Sequence, residues 1–290
     1  MQTITAISAM QHWSNAACAR RQRIGLVPTM GYLHAGHLSL VAAARQRTDL
    51  VVASLFVNPL QFGANEDLSR YPRDVERDTQ LLAEAGTDVL FLPDARTMYP
   101  EGFQTHVEVE RVTHGLCGAA RPTHFRGVTT VVAKLFNMVK PQVAVFGQKD
   151  FQQLVTIRRM VADLSFDIEI VGAPIVREAD GLAMSSRNAY LSPPERVAAR
   201  CLSRALSAAG TLVGRGENDG LRILAAARQV IADEPLARLE YASLVDPETL
   251  EDVSTIDGVA LLALAIHVGK TRLIDNAVLS ATSKVQGPIS

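Results

Sequence analysis

The chain has 290 residues, enough for one large or two medium domains and for an ample buried core. It is 48% hydrophobic and 20% charged, and 29 basic residues against 30 acidic ones leave a formal charge of −1, which excludes a global field steering it to nucleic acid or anionic lipid. Cys18, Cys117 and Cys201 are odd in number, far apart and form no C-x-x-C pair, so neither a disulfide framework nor a zinc knuckle is suggested. The first residues carry no charged stretch leading into an apolar one, and no run approaches the roughly 18 apolar residues that span a bilayer. The expectation is a soluble, unexported, cytoplasmic protein with no membrane partner.

In chain order, β-branched runs alternate with helical spacing, the pattern of βαβ units around a parallel sheet. Strands are expected at 23–27, 50–57, 88–92, 143–146 and 168–176, with helices at 38–47, 74–85, 128–139 and 151–163 between them. Beyond about Tyr190 the order changes. SPPERVAARCLSRALSAAG reads as one helix started by Pro193 and Pro194 and stopped at Gly210. A second helix at 219–232 is followed by strands at 239–245, 259–268 and 271–276. The expected fold class is α/β, a Rossmann-like doubly wound parallel sheet over 1–187, with a smaller α+β C-terminal lid domain over 188–290.

In open sheets of this kind ligands bind beyond the carboxyl ends of the strands. The unusual polar clusters all fall there: PTMGYLHAGH after the first strand, NPLQFG after the second, GQKD after the fourth and READGLAMSSRN after the fifth. His34 and His37 lie three apart where a helix is expected to begin, so both face one way beside a helix N-terminus, a place suited to phosphate oxygens. In isolation such a pair is more often a packing or surface pair, and no third ligand makes it a metal site.

His34-Ala35-Gly36-His37 resembles the H-x-G-H signature of the HIGH nucleotidyltransferase superfamily. With FVNPLQFG, LSRYPR, RPTHFRGVTTVVAKLFN, FGQKDFQQ and READGLAMSSRN in order over residues 28–188, the chain is similar to the pantothenate synthetase family. The C-terminal third carries no comparable motif. The resemblance implies a two-step ligation in which pantoate and ATP give pantoyl adenylate and pyrophosphate, and β-alanine then displaces AMP.

It also implies roles. His34, His37 and Lys149 would meet the ATP phosphates, with Met30, Gly147, Asp150, Val176 and Met184 in the nucleotide site. Met184-Ser185-Ser186-Arg187 stands where the superfamily has its KMSKS loop, and the reading SSRN, with Asn188 for the last lysine, fits the narrower family. Gln61 and Gln153 would hold pantoate, their neutral amides leaving its carboxylate nucleophilic where a guanidinium would quench it. Met30, Phe56 and Asn58 would line that subsite, Tyr71 would reach the β-alanine subsite, and His124, with Arg121, would border the active site. Asp78 would contact Mg²⁺. Asp150 and the apolar residues also have plain roles, as helix cap and core. Thr123 stands where the family commonly has glycine.

A homodimer is expected, with Thr105-His106-Val107-Glu108-Val109 as its edge strand. A nucleotidyltransferase that leaves the nucleotide on its product would share the histidines but needs cations for a phosphorylated acceptor, where this chain has glutamines. A non-catalytic regulator would have lost the phosphate-contacting residues, and a synthetase acting on RNA would carry a further domain. Val268-Gly269-Lys270-Thr271 mimics the end of a Walker A loop, but Leu264 replaces its first glycine, so Lys270 reads as a strand-end lysine.

Overall fold

The computed structural model describes residues 1–63 and 66–281. These form two compact units: Met1–Val176 with Met184–Ser186, and Arg177–Ala183 with the chain from Arg187 onward. READGLAMSSRN, expected in the first domain as far as Arg187, keeps only Met184–Ser186 there, the rest belonging to the second unit.

The first unit is built on β1 (Gln2–Ile4), β2 (Ile24–Thr29), β3 (Leu50–Leu55), β4 (Val89–Phe91), β5 (Val143–Gly147) and β6 (Glu169–Ala173). They form one sheet in the order β1-β4-β3-β2-β5-β6, every pair parallel. The buried run Val51–Ala53 shows why this sequence suits a parallel sheet: helices cover both faces, so successive residues are apolar and do not alternate. The helices are α1 (Ile7–Ala19), α2 (Ala35–Arg45), α3 (Val75–Glu84), α4 (Ala95–Met98), α5 (Leu116–Ala120), α6 (His124–Val139) and α7 (Phe151–Asp163). β1 and α1 lie outside the sequence expectation. Three strand residues are too few to show a period, and β1 exists through its pairing with β4, far along the chain.

The winding reverses at the centre of the sheet. From β2 the chain moves outward through β3 to β4, then returns to the other side of β2 as β5 and β6. The loops after β2 and β5 flank that reversal, the place where a crevice opens. β2 pairs with β5 only at Gly25 and Leu26, but with β3 as far as Thr29. The shorter ladder ends before Pro28, which has no N–H to extend one.

α6 passes beneath the crevice with most of its residues buried. A Cβ on Gly127 would lie 2.3 Å from Leu60 O and 2.6 Å from Gln61 N, so only glycine lets this helix pack against the turn after β3. Thr123, at the head of α6, has φ 72°. A β-branched residue therefore occupies a left-handed conformation, which explains why glycine suits this position.

The expected edge strand at 105–109 does not form. The segment is held by side chains of α6, with Val107 N donating to Thr130 Oγ1 at 3.0 Å and Thr129 Oγ1 donating to Val107 O at 2.6 Å. Those threonines satisfy the N–H and C=O of Val107, so that residue needs no strand of its own chain as a partner.

The second unit packs α8 (Pro193–Ala199), α9 (Cys201–Gly214) and α10 (Gly220–Ala232) with an antiparallel sheet of β7 (Ala237–Val245), β8 (Val259–Val268) and β9 (Thr271–Ser280). The single helix expected from Ser192 to Gly210 is two. A capping box joins Ser192 and Glu195 at its start, the chain breaks at Arg200, and the second part runs through Gly210 to Gly214. Glycine ends a helix only where the chain needs to turn, and here Val213 is still in register with Ala209 on the buried face. Lys270 is an exposed turn residue between β8 and β9, as read from the failed Walker pattern. Within this unit Arg177 makes a paired contact to buried Asp275 at 2.6 and 2.9 Å.

Candidate active site

The loop after β2 turns through two residues in the left-handed region, Gly31 at φ 91° and Tyr32 at φ 52°. Such a turn aims successive N–H groups at one point, and the carboxylate of Asp78 receives them. Tyr32 N donates to Oδ2 at 2.6 Å and Leu33 N to Oδ1 at 2.7 Å. The Asp78 side chain is 1% exposed, and burial pushes its carboxyl above the ordinary range even though both N–H groups act the other way. This corrects its expected role. Asp78 anchors the histidine loop from beneath, and its oxygens are engaged and sealed from solvent. Among the described residues no group of three or more His, Cys, Asp or Glu is placed to hold a metal ion. Those residues thus offer no protein cage for Mg²⁺.

At the mouth of the same loop the two histidines cap α2 reciprocally. Gly36 N donates to His34 Nδ1 at 3.2 Å, and His34 N to His37 Nδ1 at 3.4 Å, with the rings 4.1 Å apart. Each Nδ1 accepts, and in a neutral imidazole the proton then sits on Nε2. Burial, then the charges of His34 and Lys149, pull the His37 pKa down to about 3. His37 is therefore a neutral donor at physiological pH. That Lys149 contributes also places its ammonium within electrostatic reach of His37, as its position after β5 leads one to expect.

Lys149 lies in the short 3-10 turn Gln148–Asp150 that leads into α7. Asp150 is exposed and makes no capping hydrogen bond, so its expected second role as a cap is not used. Of the two glutamines that follow, Gln152 is buried and donates to Val112 O and Gly115 O, both at 2.9 Å. Gln153 is half-buried on the same helix.

Ser186 is buried and donates to Tyr32 O at 3.1 Å, tying the serine segment to the histidine loop. Met184 N donates to Val176 O at 3.0 Å, so Val176 and Met184 sit side by side, and the Met184 side chain is close to Gly36. Ser185 is half-buried beside them. Arg187 belongs to the second unit.

The turn after β3 is held more firmly than its sequence suggests. Asn58 is 1% exposed and its amide is fully used: Nδ2 donates to Gly127 O at 3.1 Å and to Gln61 Oε1 at 3.0 Å, and Oδ1 accepts from Tyr99 Oη at 2.8 Å and Leu60 N at 3.3 Å. Asn58, expected to touch substrate, is a buried brace. Gln61 Nε2 contacts Met30 Sδ at 3.1 Å, which brings Gln61 and half-buried Met30 together.

His124 and Arg121 hold the main chain of Gln61 from the other side. His124 Nδ1 lies 2.8 Å and Arg121 Nη2 3.2 Å from Gln61 O, and Arg121 Nη1 lies 3.1 Å from His124 Nε2. Burial and the Arg121 charge pull the His124 pKa down to about 4, so the ring is neutral, donating from Nδ1 and accepting at Nε2. Arg121 in turn grips Glu66 through two contacts of 2.7 and 2.5 Å. Both nitrogens of His124 are engaged, and its place is behind Gln61. Tyr71 is 5% exposed and packs edge-on against Phe62, while Phe56 is core against Tyr99. Neither is an open contact. Tyr99, Asp78 as an anchor and Gly127 escape a reading of the sequence. Their only signal is position: an aromatic before a proline, an acid on a helix and a glycine inside one.

The model of the pantoate–β-alanine ligase family matches residues 2–278. The pantothenate synthetase of Heliobacterium modesticaldum is 58% identical over 279 residues, covering 96% of this chain and 99% of that protein. The crystal structure of pantothenate synthetase from Thermus thermophilus superposes with a TM-score of 0.91 at 50% identity, covering 96% and 99% of the two chains. That of the Francisella tularensis ligase, complexed with β,γ ATP and β-alanine, does so at 0.78 and 32% identity, covering 96% and 97%. With a six-stranded parallel sheet, a histidine pair at its central reversal and these relatives over almost its whole length, the chain belongs to the pantoate–β-alanine ligase family.

Proposed function

We infer that this chain condenses pantoate with β-alanine, using ATP and passing through a pantoyl adenylate. The observation that carries this reading is the histidine pair that caps α2 at the centre of the sheet, with His37 held neutral by burial and within electrostatic reach of Lys149. A carboxylate does not acylate an amine in water, because its leaving group would be oxide. In the first step a carboxylate oxygen of pantoate attacks the α-phosphorus and the bond to pyrophosphate breaks, the electron pair leaving on pyrophosphate. In the second the amine of β-alanine attacks the acyl carbon, AMP leaves with the bonding pair, and the amine gives up a proton.

The first step builds negative charge on the departing phosphates, so it is served by donors fixed in advance. His37 suits this through Nε2–H, because a neutral ring donates without holding pyrophosphate as tightly as a cation would, and His34 beside it shares the proposed phosphate contact. Lys149 adds the single positive charge. Met30, Gly147, Asp150, Val176, Met184, Ser185, Ser186 and Arg187 complete the proposed nucleotide site, and Gln61 and Gln153 the pantoate site. Mg²⁺ enters this proposal only on the triphosphate, held by phosphate oxygens and water, as suits its preference for few protein ligands. A cytoplasmic homodimer belongs to the same proposal and is read by light scattering of the purified chain and by fractionation.

The test measures pyrophosphate and AMP released from ATP and pantoate, without and then with β-alanine. Pyrophosphate in the first case, AMP and pantothenate only in the second, and loss of both in His37→Ala are expected. Pyrophosphate release triggered by a different acid and not by pantoate would overturn the substrate assignment.

A further inference from the structure

We propose that Tyr99 is a positioning residue for the acid substrate: acting through Asn58, it sets the side-chain amide of Gln61 so that this glutamine meets the substrate as a hydrogen-bond donor. The proposal rests on the reading above that Gln61 faces pantoate.

The polarity of the relay follows from its ends. An amide side chain presents oxygen and nitrogen with nearly equal shape, so its orientation is decided by partners that only donate or only accept. Asn58 has one of each. Gly127 O accepts and Leu60 N donates, which places Nδ2 toward α6 and Oδ1 toward the turn. The Leu60 contact is long at 3.3 Å, and the stronger bond to Oδ1 is the 2.8 Å one from the Tyr99 hydroxyl. With Oδ1 taken, the second N–H of Asn58 donates to Gln61 Oε1 at 3.0 Å. The carbonyl end of Gln61 is thereby engaged, and among the described residues its NH₂ end meets only a thioether, Met30 Sδ at 3.1 Å. Sulfur is a weak acceptor that an oxygen displaces readily.

This orientation matters for an acid. Carboxylate and hydroxyl oxygens accept, so an NH₂ group attracts them, whereas a reversed amide would turn a carbonyl oxygen on the carboxylate. Reversal would also break the Asn58–Gln61 bond inside a buried site. Tyr99 is itself well seated. Its ring lies 6.1 Å from Phe56 and 5.0 Å from Phe103, and burial pushes its hydroxyl above the usual range, so it remains protonated and able to donate. The main chain of Gln61, held by His124 and Arg121, leaves the side-chain amide as the remaining freedom, and the relay removes it.

The experiment compares wild type, Tyr99→Phe, Gln61→Ala and the double variant in single-turnover pyrophosphate release at excess enzyme, varying pantoate and ATP separately. Tyr99→Phe keeps the ring and removes only the relay hydroxyl. The expected result is an apparent affinity for pantoate weakened roughly 3- to 10-fold with that for ATP within about 2-fold, and no further loss when the change is added to Gln61→Ala. Additive losses in the double variant, equal weakening toward both substrates, or an unchanged Tyr99→Phe would each overturn the positioning role. A wild type that releases no pyrophosphate with pantoate overturns the functional reading and this proposal with it. A wild type that does so, with additive variants, overturns the proposal alone.

Discussion

The loops after β2 and β5 lie on either side of the same reversal in the sheet and are built in opposite ways. The first is a mould. Two left-handed residues, Gly31 and Tyr32, are held by the buried Asp78 carboxylate, and the histidines cap α2 and each other. The second is a short 3-10 turn: Lys149 is half-buried, Asp150 is exposed, and a Cβ on Gly147 would meet nothing within 4 Å. On the proposed mechanism the difference separates geometry from charge. Direction comes from donors that folding sets at the cost of burying a carboxylate, and the positive charge comes from the long stem of Lys149.

Three measurements would break or sharpen that contrast. Lys149→Ala carries the largest expected effect, a loss of about 10²- to 10³-fold in pantoate-dependent pyrophosphate release, or about 3–4 kcal/mol of transition-state stabilisation. Its urea midpoint should stay at the wild-type value, and a clear drop would make Lys149 a structural residue. Asp78→Asn comes next. Asparagine offers one acceptor to two N–H donors, so about 2 kcal/mol of stability should be lost together with activity. A variant as stable and active as wild type would mean that the left-handed turn holds itself.

The smallest effect is on pH. His37 and His124, with pKa values near 3 and 4 when folded and about 6.5 when unfolded, stay neutral in the native protein while the unfolded chain takes up protons. The stability they contribute is present in full above pH 6.5 and is lost as the pH falls from there toward 4. The urea midpoint should therefore decline over that range, while the rate of pyrophosphate release shows no inflection near 6.5. An inflection there that disappears in His37→Asn would show a histidine titrating in the ordinary range and would remove the neutral-donor argument.

Most of the sheet was legible because a parallel strand buried on both faces has to be largely apolar, as at Val51–Ala53, and because helices return at a fixed spacing. The residues of the proposed site are also read from the sequence. His34, His37, Lys149 and the serines stand in short motifs just past strands, where the topology of such a sheet puts ligands. The errors cluster where a residue's partner is distant. Polar residues beside a motif are the right kind for binding, which is why Asn58 and His124 read as substrate contacts, yet both turn inward to hold Gln61.

What the sequence determined by itself, then, is the periodicity, the order of the strands and helices, and the chemical kinds of residue gathered at the strand ends, all properties of neighbours along the chain. Only the tertiary structure decided which polar residues face the crevice and which brace it. That choice depends on contacts such as Asp78 with Leu33, Tyr99 with Asn58 and Gly127 with Leu60, where residues 41 to 67 positions apart meet through single atoms. A buried polar group has to find a partner wherever the fold supplies one, and no local pattern records where that is.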